Sequence, residues 1–315
     1  MQISTNISRN SHSSNSKRLI RDILKNRYIY LMLFPAIAYY VIFHYFPMYG
    51  VVIAFKDFRA GLGIMRSPWA GLKHFEQFFS SYYCWRLIRN TILLNIYDLI
   101  FAFPAPIILA LLLSELRSNK YKRIVQTVSY LPHFISVVVV VGFIGNFFSQ
   151  NGIINSIIIK FGAGPISFML ESKWFRPIYI GSGIWQDIGW GSIIYLAAIS
   201  AIDPQLYEAA TIDGAGRFRK IVHITIPSIL PTVVILLIFR VGGMMSVGFE
   251  KVFLMYNPST YETADVISTF VYRSGFRQAQ YSYSAAVGLF NTIVNFILLV
   301  IANYTSRALT ENSLW

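Results

Sequence analysis

The sequence is poor in groups that do chemistry. It has one cysteine, Cys84, so no internal disulfide can form. Charged residues make up 13% of the chain, against roughly 25% in a soluble domain. Acidic residues are scarcer still, 14 against 27 Lys and Arg. There is no G-x-x-x-x-G-K-[ST] phosphate loop, which excludes nucleotide binding through that motif. No Ser/His/Asp arrangement is evident. The five histidines (His12, His44, His74, His133, His223) are scattered, and none stands at metal-ligand spacing from a cysteine or carboxylate. They read as interfacial or capping residues. No catalytic residue, metal ligand or cofactor site is expected in this chain.

What the sequence has is length and apolar character. Of its 315 residues, 55% are hydrophobic and 16% aromatic. Several apolar runs exceed the ~20 residues that cross a bilayer, so a polytopic all-α membrane protein is expected. The net charge of +13 would suggest nucleic acid in a soluble chain. Here it reads as loops facing anionic lipid head groups, with the positive-inside bias. Residues 1–16 are Ser/Asn-rich and read as disordered. Lys17, Arg18, Arg21, Lys25 and Arg27 follow as a basic juxtamembrane segment. The next apolar run is too long for a signal-peptide core and lacks a small-x-small cleavage site. It reads as a retained span.

Six spans are expected, at about 28–55, 91–113, 128–148, 178–200, 232–255 and 284–304, with both ends cytosolic. The first is interrupted by Pro35 and Pro47, the second by Pro104 and Pro106, and Pro132 opens the third. Residues 1–27 then form a cytosolic basic tail, 28–306 the membrane domain and 307–315 a short cytosolic tail. The stretch WAGLKHFEQFF reads as an interfacial helix with Trp69, Phe75, Phe78 and Phe79 as anchors. Lys and Arg number 14 on the inner side and 11 on the outer, a small margin with the right sign.

Residues 201–231, AIDPQLYEAATIDGAGRFRKIVHITIPSILP, form a polar island in the apolar second half. Asp203 before Pro204 is a helix start, with Asp as cap and Pro at the first helical position. Gly214 and Gly216 can break that helix. Arg217, Arg219 and Lys220 begin a basic segment that meets Pro227 and Pro231. The result is a helix–turn–helix elbow between two spans.

Within it, Glu208-Ala209-Ala210, Asp213-Gly214-Ala215, Ile224, Pro227 and Pro231 resemble the EAA loop of ABC-importer permeases, with Ile226 where Leu is usual. Residues 103–136, 183–199 and 246–258 are also similar to carbohydrate ABC permeases, in particular the LplB-like oligo- and polysaccharide branch. The resemblance covers about residues 20–315. It implies the type I importer permease fold in a bacterial plasma membrane. A second permease subunit, two cytosolic ATP-binding subunits and an extracellular solute-binding protein are the implied partners, and ATP is bound by another chain. Glu208, Ala209, Ala210, Asp213 and Gly214 are the implied ATPase-docking set. A permease for a non-sugar solute and, more remotely, a six-span secondary transporter are the alternatives.

Polar residues at membrane depth are costly and mark candidate solute contacts. Those singled out are Asn95, Asp98, Gln186, Asp187, Trp190, Arg240, Asn291 and Asn295. For each, hydrogen bonding between helices is the plain alternative. Paired glycines at 181/183 and 189/191 read as close-packing sites between helices. Glu250 and Lys251 read as a pair that solvate each other.

Overall fold

The computed structural model describes residues 25–310. The Ser/Asn-rich segment and most of the basic segment after it lie outside these, as do residues 311–315. Among the described residues there is no strand, only an isolated bridge between Lys56 and Trp69. The chain is all helical. The elements are α1 (Arg27–Phe55), α2 (Lys73–Phe79), α3 (Tyr83–Ser114), α4 (Asn119–Tyr130) and α5 (Val137–Phe147). They continue with α6 (Ser172–Ser200), α7 (Pro204–Ile212), α8 (Arg217–Gly242), α9 (Phe249–Met255), α10 (Ile267–Tyr272) and α11 (Tyr281–Thr310).

Four helices are long and apolar enough to cross a membrane: α1, α3, α8 and α11. A fifth span forms if α4 and α5 are taken together across their bend of 100°. At 29 residues α6 is long enough for a crossing, but it carries Gln186, Asp187 and several glycines and falls outside the apolar set.

Prolines set the helix geometry. A proline has no N–H and its ring crowds the carbonyl four residues back. Ahead of Pro47, Pro104 and Pro227 the chain answers in the same way. The residue just before the proline donates five residues back instead of four: Phe46 to Val41, Phe103 to Asp98, Ile226 to Ile221. Each helix continues through a widened turn rather than breaking. At Pro132 the outcome differs. A short tight turn at Leu131–Phe134 ends in extended backbone at Ile135 and Ser136, and α5 leaves in a new direction. The expected third span is therefore two helices at an angle. The expected fifth span, 232–255, is also broken. α8 stops at Gly242, a loop covers 243–248, and α9 follows.

Two helices organise the packing. α6 lies against the second half of α3, α4, α8 and α5. α11 lies against α8, α10, α2 and the end of α1. One apolar core joins Leu94, Val140, Ile144, Ile178, Val252 and Met255; a second joins Phe78, Leu87, Met245, Ile267, Phe270 and Val287. Phe78 is therefore a core residue and not an interfacial anchor. It faces Phe290 while its neighbour Phe79 is exposed. By contrast α1 buries no residue between Arg27 and Met48, and Met32 is 83% exposed within the chain.

A buried ionic knot ties the loop after α9 to the start of α3. Asp265 is completely buried. Its carboxylate accepts from Arg273 Nη2 at 2.7 Å, Arg273 Nη1 at 3.2 Å, Arg86 Nη2 at 3.3 Å and Thr269 Oγ1 at 3.0 Å. Burial opposes the Arg273 charge, but the Asp265 hydrogen bonds and charge outweigh it and hold the guanidinium above its usual range. Beside them, Asn90 donates to the carbonyls of Glu262 and Asp265 and accepts from Arg176 at 2.9 Å. Removing one partner of such a buried pair costs about 3–5 kcal/mol, because the others keep an uncompensated charge. Asp265→Asn should therefore lower the thermal unfolding midpoint of the detergent-purified protein by several degrees. Asp57→Asn, at the exposed Lys73 pair, should change it little. Equal midpoints for the two variants would contradict this reading of the knot.

Candidate solute cavity and coupling elbow

The widened turn before Pro104 begins at Asp98, on the wall of a polar cavity of about 390 Å³ between α3, α6, α8 and α9. Five of the sequence-derived candidates meet there: Asn95 and Asp98 from α3, Gln186 and Asp187 from α6, and Arg240 from the end of α8. Arg240 Nε donates to Asp98 Oδ2 at 2.6 Å, and the guanidinium Nη2 closes on the same oxygen. This ion pair spans helices that are 142 positions apart in sequence.

The other acid is held differently. Asp187 Oδ1 lies 2.8 Å from His133 Nδ1, and the His133 ring stacks on Trp190 at 4.7 Å between centroids. Gln186 Nε2 donates to the Ile135 carbonyl at 3.1 Å. Three polar or aromatic positions of α6, Gln186, Asp187 and Trp190, thus grip the bend between α4 and α5. Trp190 lies on an adjoining cavity of about 460 Å³, which shares Asp98, Asp187 and Arg240.

Asn291 and Asn295 lie elsewhere, and neither is on the wall of the polar cavity. Asn295 accepts from the Met245 N–H at 2.7 Å and donates to Ser246 Oγ at 2.8 Å, which pins the 243–248 loop. Asn291 Oδ1 is buried without a hydrogen-bond partner. For Asn295 the plain alternative, hydrogen bonding between elements, describes what the structure shows.

His133 and Lys251, beside and on the cavity, escaped the sequence reading, as did His74 elsewhere. Through-space pairing joins His133 to Asp187, and His74 to Asp57 at 3.2 Å. Spacing along the chain cannot reveal either pair. Lys251 contacts Tyr179 rather than Glu250. Its Nζ donates to the Tyr179 carbonyl at 3.1 Å and sits 4.9 Å from the Tyr179 ring centroid. The one available signal was that a lysine four residues from Met255 stood inside an apolar run.

The elbow folds as its local residues dictate. Asp203 Oδ1 accepts from the Gln205 N–H at 2.9 Å and Pro204 opens α7. At the far end Gly214 adopts φ +74°, which residues with a side chain resist. That turn lets Ala215 N–H reach the Ala210 carbonyl at 2.8 Å and Gly214 N–H reach Thr211 at 3.1 Å, satisfying the last carbonyls of α7. Lys220 Nζ to Thr211 Oγ1 at 2.6 Å and Tyr207 OH to Thr225 Oγ1 at 2.9 Å brace α7 against α8. Glu208, Ala209, Asp213 and Gly214 are exposed and Ala210 is half-buried. Ile212 and Phe218, 87% and 79% exposed, flank them as apolar points that the polar look of the segment had hidden.

Ionised side chains kept on a cavity wall inside an apolar bundle, with a braced elbow at the foot of one of its helices, suit a protein that passes solute. The chain belongs to the family of binding-protein-dependent transport system inner membrane components, which it matches over residues 102–311. Among characterised relatives it is 46% identical over 292 residues to protein LplB of Bacillus subtilis, covering 92% of each chain. It is 45% identical over 300 residues to the polygalacturonan/rhamnogalacturonan transport system permease YteP of the same organism, covering 95% of this chain and 94% of that one. Its fold matches a chain of a bacterial ABC transporter involved in the import of the acidic polysaccharide alginate. There the TM-score is 0.87 at 45% identity, over 93% of this chain and 99% of that one. A second structure of a bacterial alginate ABC transporter, in complex with its alginate pentasaccharide-bound periplasmic protein, gives a TM-score of 0.88 at 44% identity. Over that structure the match covers 94% of this chain and 100% of the other.

Tight packing around the cavity is testable at Gly189. A Cβ there would strike the Ser129 carbonyl of α4, whereas one at Gly181 meets nothing within 4 Å. Overpacking of this kind costs about 1–3 kcal/mol. Gly189→Ala should lower the thermal midpoint of the purified protein, and Gly181→Ala should leave it unchanged. A Gly189→Ala protein as stable as the parent would mean that α4 and α6 are not locked at this contact.

Proposed function

We propose that this chain is one of two permease subunits of an ABC importer for oligosaccharides or polysaccharide fragments in a bacterial plasma membrane. The observation that carries the reading is mechanical continuity. α8 begins in the elbow at Arg217 and runs without a break to Gly242, placing Arg240 on the cavity wall. At 1.5 Å per residue this is a lever of about 35 Å. Its foot is the docking surface and its head is the Asp98–Arg240 pair.

In this reading the elbow seats in a cleft of a separate ATP-hydrolysing subunit. Glu208, Asp213 and Gly214 offer polar contacts, Ala209 and Ala210 allow close approach, and Ile212 and Phe218 supply apolar anchors. Two such ATPase subunits closing on ATP would move α7 and α8 together, because the Lys220 and Tyr207 bonds couple them. The movement reaches the cavity through α8 and is resisted or released at Asp98. Six crossings with both termini cytosolic place the elbow inside, with α6 and the bent α4–α5 pair each counted as one. The unpartnered face of α1 suits a second permease subunit. A binding protein outside delivers cargo, as in the alginate transporter complex named above. The cargoes named for the relatives, alginate and polygalacturonan/rhamnogalacturonan, make an oligosaccharide the solute to test first.

Gly214→Pro cannot hold the positive φ that ends α7, and Glu208→Lys reverses a charge on the docking face. In the importer reconstituted with its partner subunits, each should reduce uptake and binding-protein-stimulated ATP hydrolysis at least about tenfold, the effect of losing about 1.4 kcal/mol. Membrane insertion should be retained. Uptake at the parental rate by both variants would refute the docking assignment.

A further inference from the structure

The polar cavity carries an uneven distribution of charge contacts. Asp98 is bound to Arg240, and Asp187 to His133. Lys251 is the remaining charged residue on the wall. It is half-buried, and no carboxylate of the described residues lies within ion-pair distance of its ammonium. One N–H goes to the Tyr179 carbonyl and the cation rests over the Tyr179 ring. An ammonium has three donors, so these contacts leave capacity directed at the cavity. Asp98 and Asp187 act on it only through space. The position is also fixed. α9 follows the 243–248 loop, which Asn295 pins through Met245 and Ser246.

A cation withdrawn from water without a touching counter-charge is costly and marks a functional contact. A neutral sugar hydroxyl could accept one bond from Lys251 but would leave its charge uncompensated. A carboxylate would satisfy both, in a charge-assisted bond about twice as strong. Around it, Asn95, Gln186 and the free oxygens of Asp98 and Asp187 can meet hydroxyls. The two carboxylates also temper the attraction, which passage requires: a site that held an anion too tightly would not release it. A volume of about 390 Å³ lies within the ~300–1,000 Å³ of small-ligand sites.

We propose that Lys251 is the residue that reads acidic cargo, binding one uronate carboxylate at a time as an acidic oligosaccharide passes the cavity. This rests on the oligosaccharide-importer reading. The test uses the complete importer in proteoliposomes, with its partner permease, ATPase subunits and binding protein. It measures uptake of uronate trisaccharides (mannuronate, guluronate and galacturonate), of their methyl esters, and of a neutral glucan trisaccharide. The expected result is that the parental importer takes up an acid in preference to its ester. In Lys251→Met the acid-to-ester ratio falls at least about tenfold, as for loss of a charge-assisted hydrogen bond. In Lys251→Arg it stays within about twofold of the parent, which separates a charge role from a packing one. The binding protein is the same throughout, so a changed ratio belongs to the cavity. An unchanged ratio in Lys251→Met, or both substrates falling together, overturns the role of Lys251. Uptake of the neutral glucan but of no uronate overturns acidic cargo and leaves the importer reading standing. Uptake of none of the sugars overturns the importer reading itself.

Discussion

The ion pair between Asp98 and Arg240 is the constraint around which the rest of the bundle makes sense. Two opposite charges inside an apolar bundle are tolerable only when they meet each other or water. Their meeting requires that α3 and α8 face one another across a cavity, since the residues come from opposite halves of the chain. α6 has to fill the third side, and it does so with Gln186 and Asp187 rather than with leucine. That polar face is why α6, although long enough, lacks the apolar character of the other long helices. The interior of the bundle is thus a compromise between a span and a wall.

Prolines make the compromise geometrically possible. A regular α-helix would run from Tyr83 to Ser114 with every carbonyl but the last four bonded within it. Pro104 removes one donor, and the turn starting at Asp98 widens to recover the loss. The same device recurs ahead of Pro227, where α8 leaves the elbow, and ahead of Pro47 in α1. In each case the helix continues past its proline without being cut. Pro132 is the contrast. There the ladder is abandoned, and the freed Ile135 carbonyl is recovered by the side chain of Gln186. α1, α3 and α8 thus stay continuous past their prolines, whereas α4 and α5 part at Pro132 beside the cavity.

Much of this was legible in the sequence because it is local. Asp203-Pro204 and Gly214 fix the ends of α7 through backbone geometry that any short window contains. The polar positions Asn95, Asp98, Gln186, Asp187 and Arg240 stood out against apolar runs, and the fold brings them together. Illegible were the features that depend on pairing across space. Proline sites announced a disturbance but not whether a helix would widen, as at Pro104, or turn by 100°, as at Pro132. That choice depends on which neighbour can satisfy the freed carbonyls. Asn291 and Asn295 share a helix face, yet spacing alone could not say that Asn295 is occupied in holding the loop after α8. The same holds for His133, whose nearest carboxylate lies 54 positions away.

Lys251 shows how pairing across space changes the reading of a residue. In the sequence it adjoins Glu250, and neighbours of opposite charge suggest mutual solvation. Adjacent residues on a helix point about 100° apart, however, and do not face each other. α9 starts only at Phe249, after the break at Gly242. The break turns the helix so that Glu250 is exposed while Lys251 faces the cavity and Tyr179. Had α8 continued unbroken to Met255, as its composition suggested, the register of these two residues relative to Arg240 would have been different. The loop at 243–248 therefore decides which side chains reach the cavity wall. It separates α8, which carries Arg240, from the short helix that carries Lys251, and Asn295 holds it through Met245 and Ser246.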